Sequence, residues 1–100
     1  MAAHFQYSFA THADGIATTA GALLTAEDSR RSYLFVRNRS ATTWLILGVG
    51  AVPEGNAGVA IPPLGVYEMV EGENLTARAL YLKSEADGGS VPWSALIGLD

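Results

Sequence analysis

Few groups in this 100-residue chain are able to do chemistry. Both histidines, His4 and His12, fall in an N-terminal stretch of weak patterning, and there is no cysteine. Nucleophilic catalysis is left with serine or threonine, and such a hydroxyl needs a base beside it and a third group to orient the base. Nothing in the spacing assembles one. Two histidines without a thiolate match no zinc pattern. Glu85-Ala-Asp-Gly-Gly has the look of a calcium loop but lacks its alternating oxygen ligands and distal glutamate. Glu71 and Glu73 form a carboxylate pair of the kind glycosidases use. They read more simply as acidic turn residues on a solvated face. Gly48-Val-Gly and Gly55-Asn-Ala-Gly resemble phosphate-cradling loops, yet neither carries a lysine or opens a helix. The expectation is a protein that is not an enzyme and takes no metal or cofactor.

Charge points toward contact chemistry instead. The net charge of −4 argues against nucleic acid or an acidic membrane as partner, since both need clustered positive charge. Four of the six basic residues, Arg30, Arg31, Arg37 and Arg39, nevertheless fall within ten positions. Glu68, Glu71, Glu73, Glu85 and Asp87 gather in the C-terminal third. Arginines beside Tyr33, Phe35 and Trp44 would suit an oligonucleotide surface. In an acidic chain, bidentate pairing with the carboxylates of a neighbouring subunit is the better use of them.

The elements that must position these groups are strands. Phe5, Tyr7 and Phe9 alternate with polar residues, the period of a half-buried strand or an extended arm within residues 1–20. Residues 10–29 are small and weakly patterned, with Asp14-Gly15 as a turn signal and residues 25–29 as a loop or one helical turn. Residues 32–37 and 43–48 are rich in aromatic and β-branched side chains around an Asn38 turn, which predicts a β-hairpin. Both of its strands are apolar on both faces, so each is expected to be covered twice, once by its own core and once by another layer or subunit. A glycine-rich loop follows, then strands at 59–61, 66–70, 76–83 and 91–97, with Pro92 at a strand start or edge. Six or seven short strands joined by glycine and proline turns predict one all-β domain over residues 1–100, a small, mainly antiparallel sandwich or barrel. Asn38 and Asn74 match the glycosylation pattern and are read as turn asparagines.

With 49% apolar and only 16% charged residues, against roughly 25% charged in ordinary domains, the chain is expected to leave apolar surface for partners. Its N-terminal residues lack the pattern of a signal peptide, and no apolar run is long enough for a membrane span, so a protein made in the cytoplasm is expected.

The run from Ala26 to Gly48, with its arginines, apolar strand, asparagine turn and second strand ending in glycine, resembles small bacteriophage virion proteins. So do Ala60-Ile-Pro-Pro-Leu-Gly-Val-Tyr-Glu and Ala77-Arg-Ala-Leu-Tyr-Leu, and the likeness spans about residues 20–97. It departs from the usual pattern at Pro62-Pro63-Leu64-Gly65, where a glycine-glycine or proline-glycine turn is usual, and at Trp44, which replaces a smaller residue.

The resemblance implies a virion location after synthesis in the host cytoplasm, as a capsid decoration protein or a tail or fibre accessory protein. The major capsid protein or other virion subunits would be partners, and a homo-oligomer, a trimer above all, would suit capsid symmetry. The residues expected at the contacts are Phe5, Tyr7, Phe9, Arg30, Arg31, Arg37, Arg39 and Trp44. A reading from a different class is a carbohydrate-binding sandwich with Trp44 or Trp93 as its stacking platform.

Overall fold

Leu34 and Val36, Leu45 and Leu47, and Leu80 and Leu82 each repeat at a spacing of two, so each pair puts two apolar side chains on one face of a strand. All six are buried in a single core together with Ala17, Ile61, Met69, Val91, Ala95 and Ile97. The computed structural model describes residues 9–55, 57–85 and 89–100 and contains no helix among them. Eight strands run in order: β1 (Phe9–Ala17), β2 (Ala22–Thr25), β3 (Arg31–Asn38), β4 (Leu45–Val49), β5 (Val59–Ile61), β6 (Val66–Val70), β7 (Leu80–Ser84) and β8 (Val91–Leu99). They make two antiparallel four-stranded sheets, ordered β1-β8-β3-β6 and β2-β7-β4-β5. Each strand of one sheet thus has its chain neighbour at the same place in the other, which is the arrangement of an eight-stranded jelly roll. The expected all-β class holds, with one or two strands more than the sequence suggests.

The predicted hairpin does not form. β3 pairs with β6 and β8, while β4 pairs with β5 and β7, so residues 39–44 cross between sheets. Leu34 and Val36 instead meet Leu45 and Leu47 across the core, from facing sheets. Asn38 holds the crossing. It is fully buried, its amide donates to the carbonyls of Thr43 and Ile61 at 2.8 and 3.0 Å, and its side-chain oxygen accepts the Ser40 N–H at 2.8 Å.

The weakly patterned stretch is also more regular than its composition suggests. β1 pairs with β8 along all nine of its residues, and Asp14 and Gly15 lie in mid-strand rather than in a turn. Gly15 is required there because a Cβ would stand 2.9 Å from the Trp93 indole on β8. At the other end of the chain, the strand expected over 76–83 begins only at Leu80. The carbonyls of Thr76 and Arg78 accept bonds from the Arg31 guanidinium, and the Ala77 carbonyl accepts the Asp28 N–H.

Replacing Asn38 with Ala removes both donors from the inter-sheet crossing and opens a polar void. Its unfolding free energy, measured by urea titration, is expected to fall by about 2–3 kcal/mol. Ser40→Ala, which leaves the Asn38 amide bonds in place, should cost less.

Candidate contact surface

The two sheets differ in how their outer faces are covered. On the β2-β7-β4-β5 sheet, Ile46 and Lys83 point away from the core yet are only 2% and 6% exposed. The segment from Gly50 to Gly55, with Gly58, folds back over them. Pro53 reaches Gly48 and Gly58, Val52 packs on Gly21, and the Lys83 ammonium donates to the carbonyls of Pro53 and Gly55 at 3.2 and 2.7 Å. The second apolar face of β4 is therefore covered by the chain itself. Trp44 stands at the margin, 40% exposed, where its backbone exchanges bonds with Glu85. With Ile46, Ala60 and Glu85 it lines a small hollow of about 180 Å³.

The outer face of the β1-β8-β3-β6 sheet carries no such loop among the described residues. Tyr33 and Phe35 of β3 lie on it, the Tyr33 hydroxyl donating to Glu68 on β6. Around them is an open depression of about 580 Å³, lined also by His12 and Asp14 of β1, Ser94 and Leu96 of β8, and Arg39. Register accounts for the grouping: His12, Leu96 and Phe35 stand side by side across three strands, as do Asp14, Ser94 and Arg37.

Serine, histidine and aspartate thus share one hollow, the residue types of a nucleophilic triad. Ser94 faces Asp14 directly, however, with His12 two residues along β1 from Asp14 and diagonal to Ser94 rather than between them, and no hydrogen bond joins any two of the three. The arrangement offers an aromatic floor with charges of both signs at its rim. That suits recognition by packing and pairing. No group of three or more metal-ligating side chains occurs among the described residues.

The arginines expected at contacts divide sharply. Arg37 and Arg39 are exposed on either side of Asn38, and Arg39 reaches the depression. Arg30 is exposed and forms an ion pair with Asp28 at 3.4 Å. Arg31 is 4% exposed and clamps the carbonyls of Thr76, Arg78 and Ala26 at 2.8–2.9 Å, so it is not on the surface. A register shift between Arg31 and Tyr33 turns its side chain out of the outward series that Tyr33, Phe35 and Arg37 continue. Phe9 is placed by its backbone, opposite Leu99; Phe5 and Tyr7 lie outside the described residues. His12, Asp14 and Leu96 belong to the surface although none was among the residues expected at contacts. The signal was available only after β1 was known to be a strand.

One backbone feature marks the far end of this face. The Gly65 N–H closes a turn onto the Pro62 carbonyl at 2.8 Å, and the third residue of that turn, Leu64, has φ = 61°. A turn with proline second and a left-handed third residue ordinarily takes glycine there. Leu64 is instead 57% exposed, and Val66 beside it is 54% exposed. The Leu64 N–H bonds to Ser40 and the Gly65 carbonyl accepts the Asn38 N–H, which ties this turn to the one bearing Arg37 and Arg39.

Compared with known protein families, curated proteins and solved structures, the chain matches none.

Two outcomes follow for the charged residues. Arg31→Met should lower stability markedly, by about 2–4 kcal/mol, because three carbonyls lose a charged donor, whereas Arg37→Met should leave the urea midpoint almost unmoved. The Asp28 carboxyl is held below its ordinary value of 3.8, first by the Arg30 backbone N–H and then by the Arg30 side chain. A depressed carboxyl stabilises the fold above its unfolded value, and that contribution is lost as pH falls through the folded one. Thermal melts between pH 5 and pH 2 should therefore show a shallower acid loss in Asp28→Asn than in the parent.

Proposed function

We propose that this chain is a structural virion protein, a capsid decoration domain that stabilises a phage head by binding neighbouring shell subunits. The observation that carries the reading is Leu64, a bulky apolar side chain displayed to solvent from a left-handed turn position. Holding a non-glycine residue there costs roughly 1–2 kcal/mol, and an exposed leucine recovers none of it within its own domain. Strain of this kind is a pointer to function, and burial against a partner is what would offset it. Val66, Arg37 and Arg39 beside it supply further apolar area and charges to fix register. The likeness to small phage virion proteins covers this same turn, and Leu64 lies where the chain departs from their pattern. Jelly rolls also serve as viral capsid domains, although they host other functions as well.

The mechanism is mechanical. Each Å² of apolar surface removed from water contributes about 25 cal/mol, less the cost of ordering, and the sum holds adjacent shell subunits together. The major capsid protein would be the main partner, with a tail or fibre station as the other virion setting.

Co-sedimentation with empty shells of the encoding phage tests the proposal. Leu64→Gly should leave stability unchanged or slightly raised while weakening shell binding about tenfold or more. Arg37→Glu with Arg39→Glu should likewise weaken binding more than folding. A parent protein that ignores shells and tails alike would sink the reading.

One observation favours a second reading, a carbohydrate-binding module: Trp44 is 40% exposed beside the Glu85 carboxylate, as a sugar-stacking platform would be. A tryptophan fluorescence shift on adding glycans, abolished in Trp44→Ala, would support it and count against the virion role.

A further inference from the structure

A jelly roll has four edge strands, and here three of them are blunted. β2 has four residues and a register break between Leu23 and Thr25, β5 has three residues, and β6 has five, with Glu68 among them. Short, irregular or charged edges resist pairing with other chains. β1 is the exception. It runs nine residues without a register break, contains no lysine, arginine or proline, and among the described residues pairs with β8 alone. Its ionisable side chains are His12 and Asp14.

We infer that β1 pairs antiparallel with β1 of a second copy of this chain, joining two sheets into one of eight strands about a twofold axis. The register follows from two independent requirements. A twofold axis perpendicular to the sheet keeps the outer faces of both copies on one side, so residues directly opposite must both belong to the outer series Ala10, His12, Asp14 and Ile16 or both to the inner one. Only the register centred on Ala13 then engages all nine residues, with Phe9 opposite Ala17 of the second copy. That same register sets His12 directly against Asp14 of the second copy, twice by symmetry, at the Cβ separation of about 5 Å where cross-strand pairs interact.

Shifting by one step in either direction opposes His12 to His12 or Asp14 to Asp14. Length and charge therefore select one alignment. It also places Ile16, 67% exposed in the single chain, against Ala10 of the second copy. The two depressions lined by His12 and Asp14 become neighbours across the axis.

This inference rests on the contact-making reading above and specifies one of its partners. It replaces the threefold arrangement expected from the sequence with a twofold one. Sedimentation equilibrium of the full chain over a wide concentration range should find a dimer. Asp14→Lys and His12→Asp should each raise its dissociation constant about tenfold or more, since each opposes like or uncomplementary groups at both pairs.

The decisive arm mixes the two variants. A heterodimer of His12→Asp with Asp14→Lys has both pairs complementary, and should form with near-parental affinity. A monomeric or trimeric parent, or a mixture of folded variants that stays monomeric, overturns the inference. Shell co-sedimentation of the same proteins separates the two ideas: binding by a monomeric parent rejects the β1 pairing and keeps the virion role, whereas a dimer that ignores shells does the reverse.

Discussion

The Asn38 amide sits in the dark of the molecule, where a polar side chain is tolerated only if its donors and acceptors are met. It meets them by reaching forward to Thr43, where the chain enters the second sheet, and across to Ile61 on β5. One residue thereby sets the path of the crossing, the separation of the layers and the place of an edge strand. Its own backbone N–H binds Gly65, so the turn that displays Leu64 is fixed from the same point. The core residues behind it would pack in many ways, but the hydrogen bonds of a buried amide admit few.

From that frame comes an asymmetry between the two faces. Lys83 would be an unacceptable charge under a loop were it not for the two carbonyls that receive it. With them, the segment around Pro53 and Gly55 becomes a lid on one sheet, and Ile46 and Gly48 are shielded without help from a partner. The other sheet keeps Phe35 and Leu96 within reach of solvent, ringed by His12, Asp14 and Arg39. The two faces of the sandwich therefore differ in what they offer to solvent.

The sequence disclosed the class of fold because alternation is local: β6 was read with the bounds it has, and β8 nearly so. What it concealed was decided at a distance. Gly15 reads as a turn residue until Trp93, far along the chain, is seen lying over it. The pair of strands around Asn38 has every local mark of a hairpin, yet pairing was decided by which side chains had to share a core. Arg31 and Arg37 are indistinguishable by composition, and a register shift inside β3 sends one into the protein and leaves the other on it. Among the expected contact residues, Arg30, Arg37, Arg39 and Trp44 are accessible for that role, while the surface on β1 stayed hidden with the strand itself.

The pairing of β1 with β8 joins the first described strand to the last, Phe9 standing opposite Leu99. Such a contact closes a very long loop, and folds dominated by contacts of this range form slowly. β1 emerges from the ribosome well before β8, so the β1-β8-β3-β6 sheet cannot be completed until residues 91–99 are made. Until then the nine residues of β1 have neither edge paired by a described strand, and the sheet waits on its second member.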